Sequence, residues 1–99
     1  GIAELPKRSR YSQALTDAKL LKTGESYSDL PEYLSIWILT KDPFGKNQML
    51  YSVKNSVEGF PDIVYNDGVT KLFLYVGGEG QTQSEGRGTV YDISGNDRI

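Results

Sequence analysis

Two runs constrain the fold of this chain more than anything else in it: Tyr33-Leu34-Ser35-Ile36-Trp37-Ile38-Leu39-Thr40 and Thr70-Lys71-Leu72-Phe73-Leu74-Tyr75-Val76. Both are nearly continuous series of apolar, β-branched and aromatic residues, without the alternation of a strand that is wet on one face. Such runs read as strands buried on both sides. Residues 33–40 and 70–76 are therefore expected next to each other at the centre of one sheet. With 99 residues there is room for a single domain, 1–99, with one modest core.

Around that centre the chain reads as α+β, with an N-terminal helix packed on a three- to five-stranded mixed or antiparallel sheet spanning 33–76. Tyr11, Ala14, Leu15, Ala18 and Leu21 fall on one helical stripe, which predicts a helix over 7–22. Pro6 suits its first turn, Gly24 a left-handed cap at its end, and Lys19 and Lys22 the negative pole of its dipole. Asp42-Pro43-Phe44-Gly45 is a turn signal, and Met49–Lys54 reads as a more exposed strand. The strands 33–40 and 49–54 are expected to pair as an antiparallel hairpin with a loop of about eight residues. Gly59-Phe60-Pro61-Asp62 reads as a break, and Asn66-Asp67-Gly68 as a tight turn. Leu15, Ile36, Trp37, Ile38, Leu72 and Leu74 are the expected core.

From Gly77 to Gly88 five glycines fall in twelve polar residues, the composition of a flexible loop. A phosphate-binding reading fails there. No Lys-Ser or Lys-Thr follows the last glycine, and no helix is signalled after it. Thr89–Ile93 reads as a short edge strand before a polar tail that ends at residue 99.

Composition excludes much chemistry. There is no Cys and no His, so thiolate and imidazole nucleophile–base pairs cannot form within the chain, and any metal would be a hard ion on oxygen ligands. No apolar run approaches the roughly 20 residues of a membrane span, and the N-terminal residues lack an apolar signal core. A cytoplasmic protein without membrane association is expected. The opening Gly1, in place of Met, suggests either the remnant of a tag or the edge of a segment taken from a longer frame.

Charge is unevenly placed. Residues 1–22 carry five basic and two acidic side chains, a net of +3, and the remaining 77 carry six and eleven, a net of −5. A basic head of this kind could meet a phosphate backbone or simply be a solvated helix face, and charge alone favours the second. Lys7 and Arg8 stand at the helix entrance, while Arg10, Gln13 and Asp17 form a polar ridge beside the apolar stripe. Asp62 and Asp67 lack the spacing of a calcium loop, and turn chemistry accounts for Asp67. Strand packing accounts for Trp37, Tyr51 and Tyr75 better than base stacking does.

Read as a motif, the helix carries more. The segment Leu5-Pro6-Lys7-Arg8-Ser9-Arg10-Tyr11-Ser12-Gln13-Ala14-Leu15-Thr16-Asp17, followed by Leu20-Leu21, Gly24, Tyr27 and Leu30-Pro31, resembles the recombination-promoting nucleases and transposase-like proteins of the bacterial PD-(D/E)XK superfamily. Those proteins carry an Arg-x-Arg-Tyr-Tyr helix that ends on Asp, then a strand and an Asp-x-Phe turn, matched here by Asp42-Pro43-Phe44. Asn66-Asp67-Gly68 and Lys71-Leu72-Phe73-Leu74 resemble the later Asp-Gly and Ile-Phe-Leu segment. The likeness runs over about residues 4–76. Ser12 departs from the second Tyr, and the glycine-rich stretch departs from the charged helical region that the family places after Tyr75.

The resemblance implies a partial PD-(D/E)XK-like fold and a DNA-directed, Mg²⁺-dependent nuclease or transposase-like activity in the whole protein. In the family, the Asp and Glu-x-Gln or Glu-x-Lys that hold Mg²⁺ and activate water lie upstream of this helix. This chain is thus expected to hold no cofactor and to be inactive alone. The resemblance implies auxiliary roles: Arg10, with Lys7 and Arg8, on DNA phosphate, Gln13 hydrogen-bonding near the metal site, and Asp17 orienting the helix residues. Tyr11 is read as packing. Weak contact with double-stranded DNA is one expected partnership. A protein partner, or self-association through an exposed sheet edge, is the other reading.

Overall fold

A computed structural model describes residues 1–80 and the short backbone strand Asp97–Arg98. The architecture is α+β. A 3-10 turn, Ile2–Glu4, leads into helix α1, Leu5–Leu20, and a second 3-10 turn covers Tyr27–Asp29. The strands are β1 Tyr33–Leu39, β2 Leu50–Val53, β3 Ser56–Val57, β4 Phe60–Val64, β5 Val69–Tyr75 and β6 Asp97–Arg98. They form a four-stranded mixed sheet in the order β2-β5-β1-β6 and a separate β3-β4 ribbon.

The two apolar runs are neighbours, as expected, but β1 is not buried on both faces. Ser35, Trp37 and Leu39 are buried on one, while on the other Leu34 is exposed and Ile36 and Ile38 are half-buried. β1 and β5 pair in parallel over their whole length, from Tyr33 opposite Val69 to Leu39 opposite Tyr75. The expected hairpin between 33–40 and 49–54 does not form. β5 lies between its two strands, parallel to β1 and antiparallel to β2, with Leu50 opposite Leu74 and Val53 opposite Lys71. The reason is burial. β5 has more apolar surface to hide than β2, so it takes the inner place, and the more polar β2 goes to the edge.

The chain between β1 and β2 is held by one side chain. The Asp42 carboxylate accepts hydrogen bonds from the backbone N–H groups of Phe44, Gly45 and Asn47 and from the Tyr51 hydroxyl, the last at 2.7 Å. Gly45 and Asn47 take the left-handed conformation this turn requires. Beyond β2, the β3–β4 ribbon turns at Glu58-Gly59 and is exposed along its length. The expected break at 59–62 is therefore a turn followed at once by a strand, and Pro61 is tolerated because that strand is an edge. Asn66-Asp67-Gly68 does turn, with Gly68 left-handed, but it joins the ribbon to β5 instead of closing a hairpin.

Helix α1 begins two residues earlier than the stripe suggested and ends at Leu20, where Leu21 is already extended. Gly24 is left-handed, but within the following Lys22–Glu25 turn and not at the helix end. The larger correction concerns which side faces the sheet. Leu5 is 1% exposed and packs with Trp37, Leu39 and Phe73 as the core. Ser9 is also buried, and Ser12, Gln13, Thr16 and Asp17 are half-buried. The stripe expected to be inside looks outward, with Tyr11 67% and Leu15 46% exposed. Leu5 sets the rotation: once it enters the Trp37–Phe73 core, positions four, seven, eight and eleven residues on (Ser9, Ser12, Gln13 and Thr16) turn toward the sheet too, and all of these are polar.

Of the expected core, Trp37 and Leu72 are buried, Ile36, Ile38 and Leu74 are half-buried, and Leu15 is not core at all. Trp37 donates its indole N–H to the Ser35 hydroxyl, and its ring lies 6.5 Å from that of Phe73. The stretch expected to be flexible from 77 is tied down where it is described. Glu79 donates its N–H to Asn47 and accepts one from Met49, at 2.8 and 2.7 Å. The rest of that loop, 81–88, and the strand expected at 89–93 lie outside the described residues. Within the expected polar tail, Asp97–Arg98 pairs with Trp37 and Ile38 on the free side of β1.

Candidate functional site

The five residues expected to matter are divided between the two flanks of α1. Lys7 and Arg8, both exposed, line an open groove of about 700 Å³ with Glu4, Tyr11, Leu15 and Trp37. Gln13 and Asp17 stand on the opposite flank, where the Gln13 amide donates to the Asp17 carboxylate across a long 3.4 Å. Arg10 is exposed and makes no hydrogen bond to either. Among the described residues Lys7, Arg8 and Arg10 form no ion pair. The expected ridge of Arg10, Gln13 and Asp17 is thus two residues in contact and a third free in solvent.

The second flank contains a residue that sequence reasoning passed over. Lys71 projects from β5 on the same face as Phe73 and lines two small pockets beneath α1, one with Ser9 and one with Gln13 and Asn55. Burial pushes its ammonium below the ordinary lysine value, against the opposing pull of the Asp67 and Asp17 carboxylates. Asp67 is engaged on both oxygens, by the Val69 N–H and the Asn55 amide. The signal was legible: Lys71 is the one charge in an otherwise apolar strand, two places before Phe73 and so on its face.

The donor set does not fit a magnesium ion. Among the described residues no three acidic side chains converge. The two carboxylates nearest the helix flank face an ammonium and are held by amide donors. No helix of the described residues is long and apolar enough to cross a membrane.

A third polar cluster, around Asp42, is explained by architecture. Burial alone would raise the Asp42 carboxyl, but the hydrogen bonds from Tyr51, Asn47, Phe44 and Gly45 outweigh it and hold the group below its ordinary value. Tyr51 in turn accepts from the N–H groups of Lys46 and Gln48. Every donor here serves the turn.

Comparison of the chain with protein-family models, with curated proteins and with solved structures gives no match.

Proposed function

We propose that this chain is an accessory part of a DNA-directed, Mg²⁺-dependent nuclease or transposase-like protein, inactive by itself, in which α1 presents cations to the phosphate backbone. One observation carries the reading. α1 turns its polar side to the sheet and leaves Lys7, Arg8 and Arg10 outward, without ion pairs among the described residues. Unpaired cations on one rigid helix are what sequence-independent phosphate contact requires. The outward Tyr11 and Leu15 support a further layer of protein packing over α1 in the working molecule.

A labelled duplex titrated at low salt tests this, comparing the parent chain with a variant in which Lys7, Arg8 and Arg10 are all Ala. Weak binding should be lost in the variant, with a salt slope of about −2 to −3 in the parent for two or three phosphates neutralised. Equal binding by both, or by neither, refutes the reading.

A second reading is a non-enzymatic interaction module, favoured by the edge of β1. β6 covers that edge only at Trp37 and Ile38, so the Tyr33–Ile36 side of a doubly apolar strand has no strand partner among the described residues. Such an edge accepts an added strand. Sedimentation that shows a single monomer at every concentration, with no strand-forming ligand retained on the chain, counts against it.

A further inference from the structure

We propose that the β3–β4 ribbon of one copy of this chain docks into the groove beside α1 of a second copy. The ribbon is a two-stranded sheet of its own, and such a pair is marginal in water unless it packs on something. Its apolar side chains are turned to solvent, with Phe60 61% and Val64 67% exposed. Val57 stands opposite Phe60 across the Glu58-Gly59 turn, so the two project from one face of the tip. Glu58 and Asp62 flank that tip, both exposed and without an ion pair among the described residues.

The groove has the complementary character. Tyr11, Leu15 and Trp37 give it an apolar lining, and its volume of about 700 Å³ leaves room for a phenyl ring. Lys7 and Arg8 line it as well. Glu4, the one carboxylate there, is bound to the Gly1 amino group at 2.9 Å, so the groove is positive on balance. An apolar tip between two carboxylates thus matches an apolar groove beside two cations. The chain does not fill its own groove. The ribbon leaves β2 on the Gln13 flank of α1, where Val53, Lys54 and Asn55 share a pocket with Gln13, and the groove opens on the other flank. A second copy therefore supplies the tip, and reciprocal exchange of ribbons closes the assembly as a two-fold dimer. This pairing does not rest on the nuclease reading. Because it uses Lys7 and Arg8, it excludes duplex DNA from this face, and the dilute monomer is the form open to phosphate.

Sedimentation equilibrium of the full chain, at loadings from about 10 μM to about 1 mM, tests the proposal. The parent should pass from monomer to dimer within that range. Phe60→Ser, a change at an exposed side chain, should weaken association at least about tenfold, and so should Lys7→Glu combined with Arg8→Glu. Adding Glu58→Lys and Asp62→Lys to that second variant should bring the affinity back to within about threefold of the parent, which a general loss of fold would not allow. A parent that stays monomeric throughout, unchanged association in Phe60→Ser or in the Lys7 and Arg8 reversal, or no recovery in the fourfold variant each overturns the proposal. Association through the free edge of β1 would be indifferent to all of these changes, and so counts against it.

Discussion

Truncating Leu5 and Leu15 to Ala, one at a time, tests the rotation of α1 directly. Both leucines are on the same helix, yet Leu5 is 1% and Leu15 46% exposed. Leu→Ala removes three carbons, which at about 0.8 kcal/mol each gives roughly 2.4 kcal/mol of lost transfer energy for a fully buried side chain. The cavity left among Trp37, Leu39 and Phe73 adds to this, so Leu5→Ala should cost about 2–5 kcal/mol. Its place in the first turn, where the helix end can relax into the gap, points to the lower half of that range. Leu15 loses only about half the transfer term and leaves no cavity, and the better helix propensity of Ala offsets part of the rest, so its cost should stay below about 1 kcal/mol. Urea unfolding measures both. With a slope of about 1 kcal/mol per molar, Leu5→Ala should move the midpoint down by some 2 M or more, or unfold the chain outright, and Leu15→Ala by less than about 1 M. Equal shifts, or a larger one for Leu15, would mean that the apolar stripe packs on the sheet and that the helix is turned about half a turn from the orientation described.

Gly78→Ala should destabilise by about 1–3 kcal/mol, because a Cβ there would lie 2.5 Å from the Gln48 carbonyl; an unchanged melting temperature would show that the 77–80 segment does not pack on Asn47–Met49. Asp42→Asn should flatten the acid limb of the stability–pH curve. The Asp42 carboxyl is depressed in the fold from its ordinary 3.8, so its contribution is complete above that value and is lost as pH falls through the lower folded one; the same acid limb in parent and variant would refute it. The purified chain should show no Mg²⁺- or Mn²⁺-dependent nicking of plasmid DNA, and cleavage abolished by changing a residue of this chain would overturn the accessory role.

Much of the molecule was legible in the residues themselves. The two apolar runs determined two inner strands and their adjacency, since pairing them side by side hides the most apolar surface, although the Leu34–Ile36–Ile38 face of β1 stays exposed or half-buried. Asp42-Pro43-Phe44-Gly45 and Asn66-Asp67-Gly68 determined two turns, because their side-chain oxygens and left-handed residues act within a few positions. The absence of Cys and His limited the chemistry available to this segment.

Three features were decided only by tertiary structure. The order of strands depended on the competition between β2 and β5 for the inner place, which a local pattern does not express. The facing of α1 depended on a single leucine at its first turn: Leu5 has less weight in a periodicity than five stripe residues, yet it alone reaches the core. Ser9 and Lys71 are far apart in the chain and ordinary on their own. They share one pocket because that rotation brings the polar side of α1 down onto the one charged position of β5.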